Sequence, residues 1–247
     1  GVELDLQLTS SGEVIVLHDD TLERTGRLVG DPKTGPSASP LLTANIASLH
    51  YEEIQNVDVG AWKGLEWAGE RLMRFSDTLA LLPSGRGLLV ELKSGDTGMI
   101  VPALRAVRAS GVEPRQIRWI GFDLALMKEL KKIAPEYRVW LLHYEASCPA
   151  TALEAVRLAH TSGFDGIDLQ ADTRLVTPAV VAAAHAMGLE FGVWVWKDRI
   201  PGCDSPVMWD AMARAGVDIF TSDLPPEIFG WASQRSDVQP MEPLLLN

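Results

Sequence analysis

Two acidic side chains, Glu3 and Asp5, stand two residues apart in the run VELDLQL near the start of the chain. This run is typical of a β-strand, and residues two apart on a strand point to the same face. Two carboxylates on one face repel each other unless a cation lies between them, and Ca²⁺ and Mg²⁺ take oxygen ligands. The pair therefore has two interpretations: part of a metal site, or the exposed polar face of an edge strand.

A second pair of charges, Glu91 and Lys93, ends the otherwise apolar run LLVELK. Charged side chains in such a strand are costly unless they are paired or bound to something. The carboxyl end of a barrel strand is where such a charge usually has a function. We expect Glu91 to be a third oxygen ligand and Lys93 to contact an anionic group near the metal. The alternative is a buried Glu–Lys pair without chemistry.

One histidine and one tryptophan complete the set of candidates. His18 follows the apolar run EVIVL, and beside a metal and a phosphate its imidazole could transfer a proton near neutral pH. A lone histidine at a strand end is more often structural or solvated. Trp194 and Trp196 share one face of the run FGVWVW, so one ring is expected to line a pocket, unless both pack in the core. Cys148 and Cys203 match no metal-ligand spacing, and two free thiols are favoured over a disulfide bridge between them.

The remaining sequence indicates which elements must position these residues. From Leu88 onward, apolar runs alternate with stretches of helical spacing that mostly end at Gly or Pro, which predicts βα units and a parallel sheet. The run VELDLQL brings the parallel strands to seven, one fewer than a (β/α)8 barrel requires. The predicted fold class is α/β, a TIM (β/α)8-type barrel that lacks its first βα unit in this chain. An open doubly wound sheet is the alternative.

The chain is expected to form one domain over residues 1–235, with a small insertion at about 20–75 and a C-terminal tail over 236–247. A short extra strand is expected at VIVLHD, just before the insertion, and the insertion contains the Gly- and Pro-rich loop GDPKTGPSASP. The net charge of −11 argues against a nucleic-acid partner. No run approaches the roughly 18 apolar residues of a transmembrane segment. We expect a cytoplasmic protein, although a chain that starts at Gly1 could have lost a signal peptide.

The opening run GVELDLQLTSSGEVIVLHDDTLERTG closely resembles the glycerophosphodiester phosphodiesterase family. The signature of that family pairs Glu-x-Asp-[Val/Leu]-Gln-x-Thr with a later [Val/Ile]-x-His-Asp-x-x-x-x-Arg-Thr. Further segments resemble the family in order along the chain: VDVGAWKGLEWAGERL, LLVELK, GFD, VWVWKD and FTSDLP. The resemblance implies a TIM barrel that hydrolyses glycerophosphodiesters to glycerol 3-phosphate and an alcohol, with one divalent cation, usually Ca²⁺ or Mg²⁺.

The same resemblance assigns roles to individual residues. It implies these metal ligands: Glu3, Asp5 and Glu91. His18 would be one of two catalytic histidines, Lys93 would hold the phosphate, and Trp194 would line the glycerol end of the site. In the implied mechanism, one histidine deprotonates the glycerol 2-hydroxyl for attack on phosphorus and the other protonates the leaving alcohol.

The sequence also departs from the family. Its His-Arg-Gly motif, which carries the other histidine, and its Pro-Glu-Asn segment are not found in these residues. Gly121 replaces the usual serine, and only Trp194 of the Trp-Thr-Val-Asn strand is kept. One hypothesis is a working phosphodiesterase whose native chain has one more βα unit upstream. The alternatives are a catalytically impaired or non-catalytic relative that binds phosphodiesters or metal, and a phospholipase-type relative acting on lysophospholipids. The oligomeric state stays open.

Overall fold

The computed structural model of the protein describes residues 1–28, 39–83, 85–93, 97–144 and 146–235. The predicted loop GDPKTGPSASP lies almost entirely outside the described residues, and the predicted tail over 236–247 lies wholly outside them. No helix within the described ranges is both long enough and apolar enough to cross a membrane.

The described residues contain eight strands and nine α-helices. The strands are β1 (Val2–Leu8), β2 (Val14–Val16), β3 (Leu88–Leu92), β4 (Ile117–Gly121), β5 (Arg138–His143), β6 (Gly166–Gln170), β7 (Glu190–Trp194) and β8 (Ile219–Thr221). The helices are α1 (Pro40–Thr43), α2 (Tyr51–Ile54), α3 (Phe75–Leu79), α4 (Ile100–Ser110), α5 (Leu124–Ile133), α6 (Pro149–Thr161), α7 (Pro178–Ala186), α8 (Pro206–Ala215) and α9 (Pro225–Ser233).

These elements form two compact units, which divide strand β3 between them. The N-terminal unit contains Val2–Arg86 and Val90–Glu113, and its strand order is β2-β1-β3. Strand β2 pairs antiparallel with β1, with Leu6 opposite Val16. The segment that follows β2 has an apolar core of its own, formed by Ile15, Leu17, Leu22, Leu42, Ile46, Leu49, Tyr51, Ile54, Val57 and Leu72. The predicted insertion is thus packed onto β2.

The C-terminal unit consists of Leu88–Leu89 and the chain from Pro114 onward, and its strand order is β3-β4-β5-β6-β7-β8. Strands β4 to β8 pair in parallel. Every residue of β4 and β6 is buried, as expected when helices cover a parallel sheet. Helices α5, α7 and α8 are capped at their N-termini by the side chains of Asp123, Thr177 and Ser205, each of which accepts a hydrogen bond from a backbone N–H of the first turn. Helix α8 ends at Gly216 with φ 90°, the left-handed conformation that glycine adopts most easily.

Most of the predicted elements are confirmed, including seven of the strands and the five long helices α4 to α8. The predicted strand over FGVWVW is too long, because β7 ends at Trp194 and the carbonyl of Trp196 instead accepts turn hydrogen bonds from the amides of Arg199 and Ile200. The extra strand VIVLHD is confirmed only over Val14–Val16. Helix α9 was not predicted, because it buries no residue completely and so lacks a clear apolar stripe. The single barrel domain over residues 1–235 stays a prediction. Both cysteines are free thiols.

Candidate functional site

The first two candidate ligands share one face of strand β1. Leu4 and Leu6 are buried on the opposite face, and this burial turns the alternate positions Glu3 and Asp5 away from that core. Both acidic residues are partly buried rather than fully exposed. The sequence prediction that the two carboxylates share a face is therefore confirmed, and the exposed edge-strand interpretation is wrong.

Glu91 and Lys93 lie at the end of the neighbouring strand β3. The Lys93 ammonium Nζ is 2.8 Å from Asp5 Oδ1 and 2.8 Å from Glu91 Oε1. The backbone N–H of Lys93 also donates to the carbonyl of Leu6 at 3.4 Å, which ties the end of β3 to β1. All three charged side chains are at most 16% exposed. A single ammonium therefore lies between carboxylates from two strands.

The three carboxylates form a cluster that fits a hard divalent cation. One carboxylate oxygen each from Glu3, Asp5 and Glu91 lies within 4.8 Å of the other two. Three anionic oxygens from neighbouring strands are the donor set that Ca²⁺ and Mg²⁺ prefer. The mutual repulsion of these carboxylates destabilises the chain unless positive charge lies close to them.

The pKa values of Glu91 and Lys93 show how the charges of the cluster affect one another. Burial raises the pKa of Glu91 from 4.5 to about 7, although the Lys93 ammonium opposes this rise and Asp5 adds to it. Burial disfavours the charged form of Lys93, but Asp5 and Glu91 outweigh burial and raise its pKa. Lys93 is therefore charged at neutral pH, and its charge does not fully compensate the carboxylates around it.

His18 belongs to a segment that is bonded to β1. The N–H of Leu17 donates to the carbonyl of Asp5 at 3.0 Å. The His18 side chain is 65% exposed, and its Nδ1 lies 2.7 Å from Asp19 Oδ1. The imidazole is thus open to a bound molecule and is held on one side by the next residue.

Two neighbours of the candidate site, Gln7 and Arg24, were not among the predicted site residues. Gln7 is the third residue on the carboxylate face of β1, and its Nε2 donates to Asp20 Oδ1 at 3.1 Å and to the His18 carbonyl at 3.5 Å. The signal for Gln7 was its position two residues after Asp5. Arg24 binds Asp19, and no periodic pattern predicts that contact because the intervening residues form a bend and a turn.

Trp194, the predicted substrate contact, belongs to the C-terminal unit. It is the last residue of β7 and lies opposite Gln170 and Thr221 in the sheet register. Its ring contacts Phe122 at a centroid distance of 5.9 Å and Trp196 at 5.4 Å. The ring of Tyr144 also contacts the rings of Phe122 and Trp196, so the four aromatic side chains form one cluster. The role of Trp194 in substrate binding stays a prediction.

Comparison with known proteins supports the family resemblance seen in the sequence motifs. A sequence profile of the glycerophosphoryl diester phosphodiesterase family matches residues 1–227. A glycerophosphodiester phosphodiesterase of Caldanaerobacter subterraneus subsp. tengcongensis is 27% identical over 233 residues, which are 91% of this chain and 82% of that protein.

Solved structures show the same fold. The structure of a glycerophosphodiester phosphodiesterase from Parabacteroides distasonis matches with a TM-score of 0.69 and 23% identity, over 95% of this chain and 84% of that one. The structure of an Agrobacterium tumefaciens glycerophosphodiester phosphodiesterase matches with a TM-score of 0.67 and 23% identity, over 90% and 82% of the two chains. The predicted TIM-barrel-type fold class is therefore confirmed.

Proposed function

This chain belongs to the glycerophosphoryl diester phosphodiesterase family of phosphoric diester hydrolases, and we propose that it hydrolyses glycerophosphodiesters to glycerol 3-phosphate and an alcohol with the help of one divalent cation. The observation that carries this proposal is the cluster of Glu3, Asp5 and Glu91 around the Lys93 ammonium. A partly buried set of three carboxylates and one lysine, on strand β1 and at the end of the neighbouring strand β3, is suited to binding a cation and a phosphate together.

The three carboxylates would hold Ca²⁺ or Mg²⁺, because each offers an oxygen at the same place. The bound cation would supply positive charge that polarises a phosphate oxygen and acidifies a hydroxyl. Glu91 contributes most to the demand for this cation, since burial makes its ionised form costly.

Lys93 would ion-pair with the phosphate of the substrate. Its ammonium is held in place by Asp5 and Glu91 at 2.8 Å each, so it would approach a bound phosphate without first losing side-chain freedom. An ammonium with three donors can keep a carboxylate partner while it binds an anion.

His18 would transfer a proton, either from the attacking hydroxyl or to the leaving alcohol. Its ring is exposed and its Nδ1 is already bonded to Asp19, which leaves Nε2 for the substrate. General acid–base catalysis of this kind contributes about 10²–10⁴-fold to a rate. Trp194 would contact the glycerol or product end of the substrate.

The test is the release of glycerol 3-phosphate from a panel of glycerophosphodiesters by the native full-length chain, including any residues that precede Gly1. We expect activity to disappear after treatment with a chelator and to return with Ca²⁺ or Mg²⁺. The variant Asp5→Asn should lose activity at every cation concentration. Glu129→Gln, which removes a surface carboxylate paired with Lys132, is the matched control and should behave like the wild type.

Three results would contradict the proposal. Full activity in the chelated protein would remove the cation from the mechanism. Binding of a glycerophosphodiester without any release of glycerol 3-phosphate would support a non-catalytic relative instead, and hydrolysis of lysophospholipids alone would support a phospholipase-type relative.

A further inference from the structure

The His18 imidazole is bonded to a carboxylate that can only accept. Its Nδ1 lies 2.7 Å from Asp19 Oδ1. The hydrogen bond from Arg24 lowers the pKa of Asp19 below its ordinary value, against the effect of burial, and His18 lowers it further. Asp19 is therefore a carboxylate at neutral pH and has no proton to donate. The proton in this contact belongs to Nδ1 of His18, so Nε2 is the unprotonated nitrogen of the neutral ring.

Asp19 is in turn held by a two-point contact with Arg24. The guanidinium Nε lies 2.6 Å from Asp19 Oδ2, and Nη2 lies 2.9 Å from Oδ1. A bidentate contact fixes the plane of the carboxylate as well as its position. Asp19 Oδ1 therefore accepts from His18 and from Arg24 at once, and the carboxylate cannot rotate without breaking one of these bonds.

Further contacts, made by Arg24 with an aromatic ring and by Asp20 with Gln7, support the same arrangement. The Arg24 guanidinium lies over the Trp62 ring, 5.2 Å from its centroid, and Trp62 is bonded through Nε1 to the carbonyl of Val59 at 2.9 Å. On the other side, Gln7 bonds to Asp20 Oδ1, next to Asp19. These contacts order a segment that has no regular secondary structure of its own.

We propose that Asp19 and Arg24 are positioning residues that hold His18 in the tautomer with the proton on Nδ1, so that Nε2 carries out the proton transfer. The proposal rests on the proposed function only in giving His18 a catalytic role, because the tautomer itself is a property of the free protein. It also gives a role to Asp19 and Arg24 in the run HDDTLERT, where the spacing of the residues alone did not suggest one.

The direct test is the tautomer of His18 in the metal-free protein, measured by long-range ¹H–¹⁵N NMR correlations in alkaline buffer, well above the ordinary histidine pKa. The signals of the His18 ring are identified as those missing from the spectrum of His18→Ala. The wild type should show a protonated Nδ1 and an unprotonated Nε2. Asp19→Ala should show the mixture of tautomers found in an unconstrained imidazole. Arg24→Gln should move the signals only part of the way toward that mixture, because Asp19 remains as an acceptor but is no longer clamped. Glu23→Ala, which removes an exposed carboxylate of the same segment, is the matched control and should keep the wild-type signals.

Kinetics separate a positioning role from a structural one. Asp19→Ala should lower kcat by about 10- to 100-fold, the range seen when the partner that orients a ligand is lost, with little change in KM. In the His18→Ala background the same substitution should have no further effect, because there is no ring left to orient.

Several results would overturn the inference without touching the proposed function. One is a wild-type protein whose His18 carries its proton on Nε2. Another is an Asp19→Ala variant with unchanged tautomer signals, or one whose loss of kcat is the same with and without His18. A His18→Ala variant with full activity, by contrast, would contradict the proposed role of His18 and would leave the tautomer result as it stands.

Discussion

The sharpest prediction concerns Glu91→Gln in the metal-free protein, where loss of the proposed cation ligand should make the chain more stable. Glu91 is 8% exposed, and burial raises its pKa from 4.5 to about 7 despite the contact with Lys93. The ionised carboxylate is therefore costly in the folded chain whenever no divalent cation is bound. Glutamine has nearly the same shape as protonated glutamate and carries no charge, so it should remove that cost.

The size and the sign of the effect follow from the two pKa values. A carboxyl whose pKa is higher in the folded chain stabilises that chain when it is protonated. This contribution is complete below 4.5 and is lost as the pH rises through about 7. The shift corresponds to about 3 kcal/mol, at about 1.4 kcal/mol per pKa unit. The free energy of unfolding of Glu91→Gln should exceed that of the wild type by about 3 kcal/mol near pH 8, and by about 1 kcal/mol or less near pH 5.

The assay is urea unfolding of both proteins in chelator at the two pH values. Glu190→Gln is the control with the opposite sign: burial tends to raise the pKa of Glu190, but Arg118 and Arg138 outweigh burial and lower it. That variant should be less stable than the wild type near pH 8. Saturating Ca²⁺ or Mg²⁺ should stabilise the wild type and not Glu91→Gln, since a ligand that binds only the folded state raises its stability. A Glu91→Gln variant that is destabilised equally at both pH values would refute this reasoning.

Three further predictions concern other parts of the molecule. Lys93→Met removes the ammonium from between two carboxylates, so it should tighten binding of the divalent cation, measured by calorimetry, while it lowers phosphodiesterase activity; weaker cation binding would contradict the proposed site. Trp194→Ala should raise KM for a glycerophosphodiester more than it lowers kcat, and an unchanged KM would remove Trp194 from the substrate contacts. Gly192→Ala should lower the free energy of unfolding by about 1–3 kcal/mol through overpacking, because its Cβ would lie 2.7 Å from the Trp140 ring. Gly230→Ala is the control, because its Cβ would meet nothing within 4 Å. Equal losses of stability in the two variants would contradict the packing argument.

Much of the candidate site could be predicted because its signals are local. The two-residue spacing of Glu3 and Asp5 places both on one face of any strand, and β1 does form there. The charges in LLVELK were conspicuous because every residue of β3 is otherwise apolar, and the strand is buried throughout. Helices α4 to α8 were predictable for the same reason, since apolar spacing and terminal Gly or Pro residues act over a few residues.

Other features could not be predicted, because the sequence contains no local signal for them. The strand pattern of FGVWVW continues to Trp196, but the carbonyl of that residue accepts turn hydrogen bonds and the strand ends two residues earlier. Arg24 and Asp19 meet through a bend that has no period. The likeness to a known family identified the motif that contains both residues, but not the contact between them.

The amino-acid sequence by itself determined which residues are candidates for the chemistry and which face of each strand they occupy, because both depend on residue type and on a period of two. Tertiary structure decided which strands are neighbours. Strands β1 and β3 lie side by side although a long excursion separates them along the chain, and only this pairing places the Lys93 ammonium between Asp5 and Glu91. The pKa of Glu91 depends on burial and on charges from both strands, so the property that most strongly indicates a cation site exists only in the folded chain.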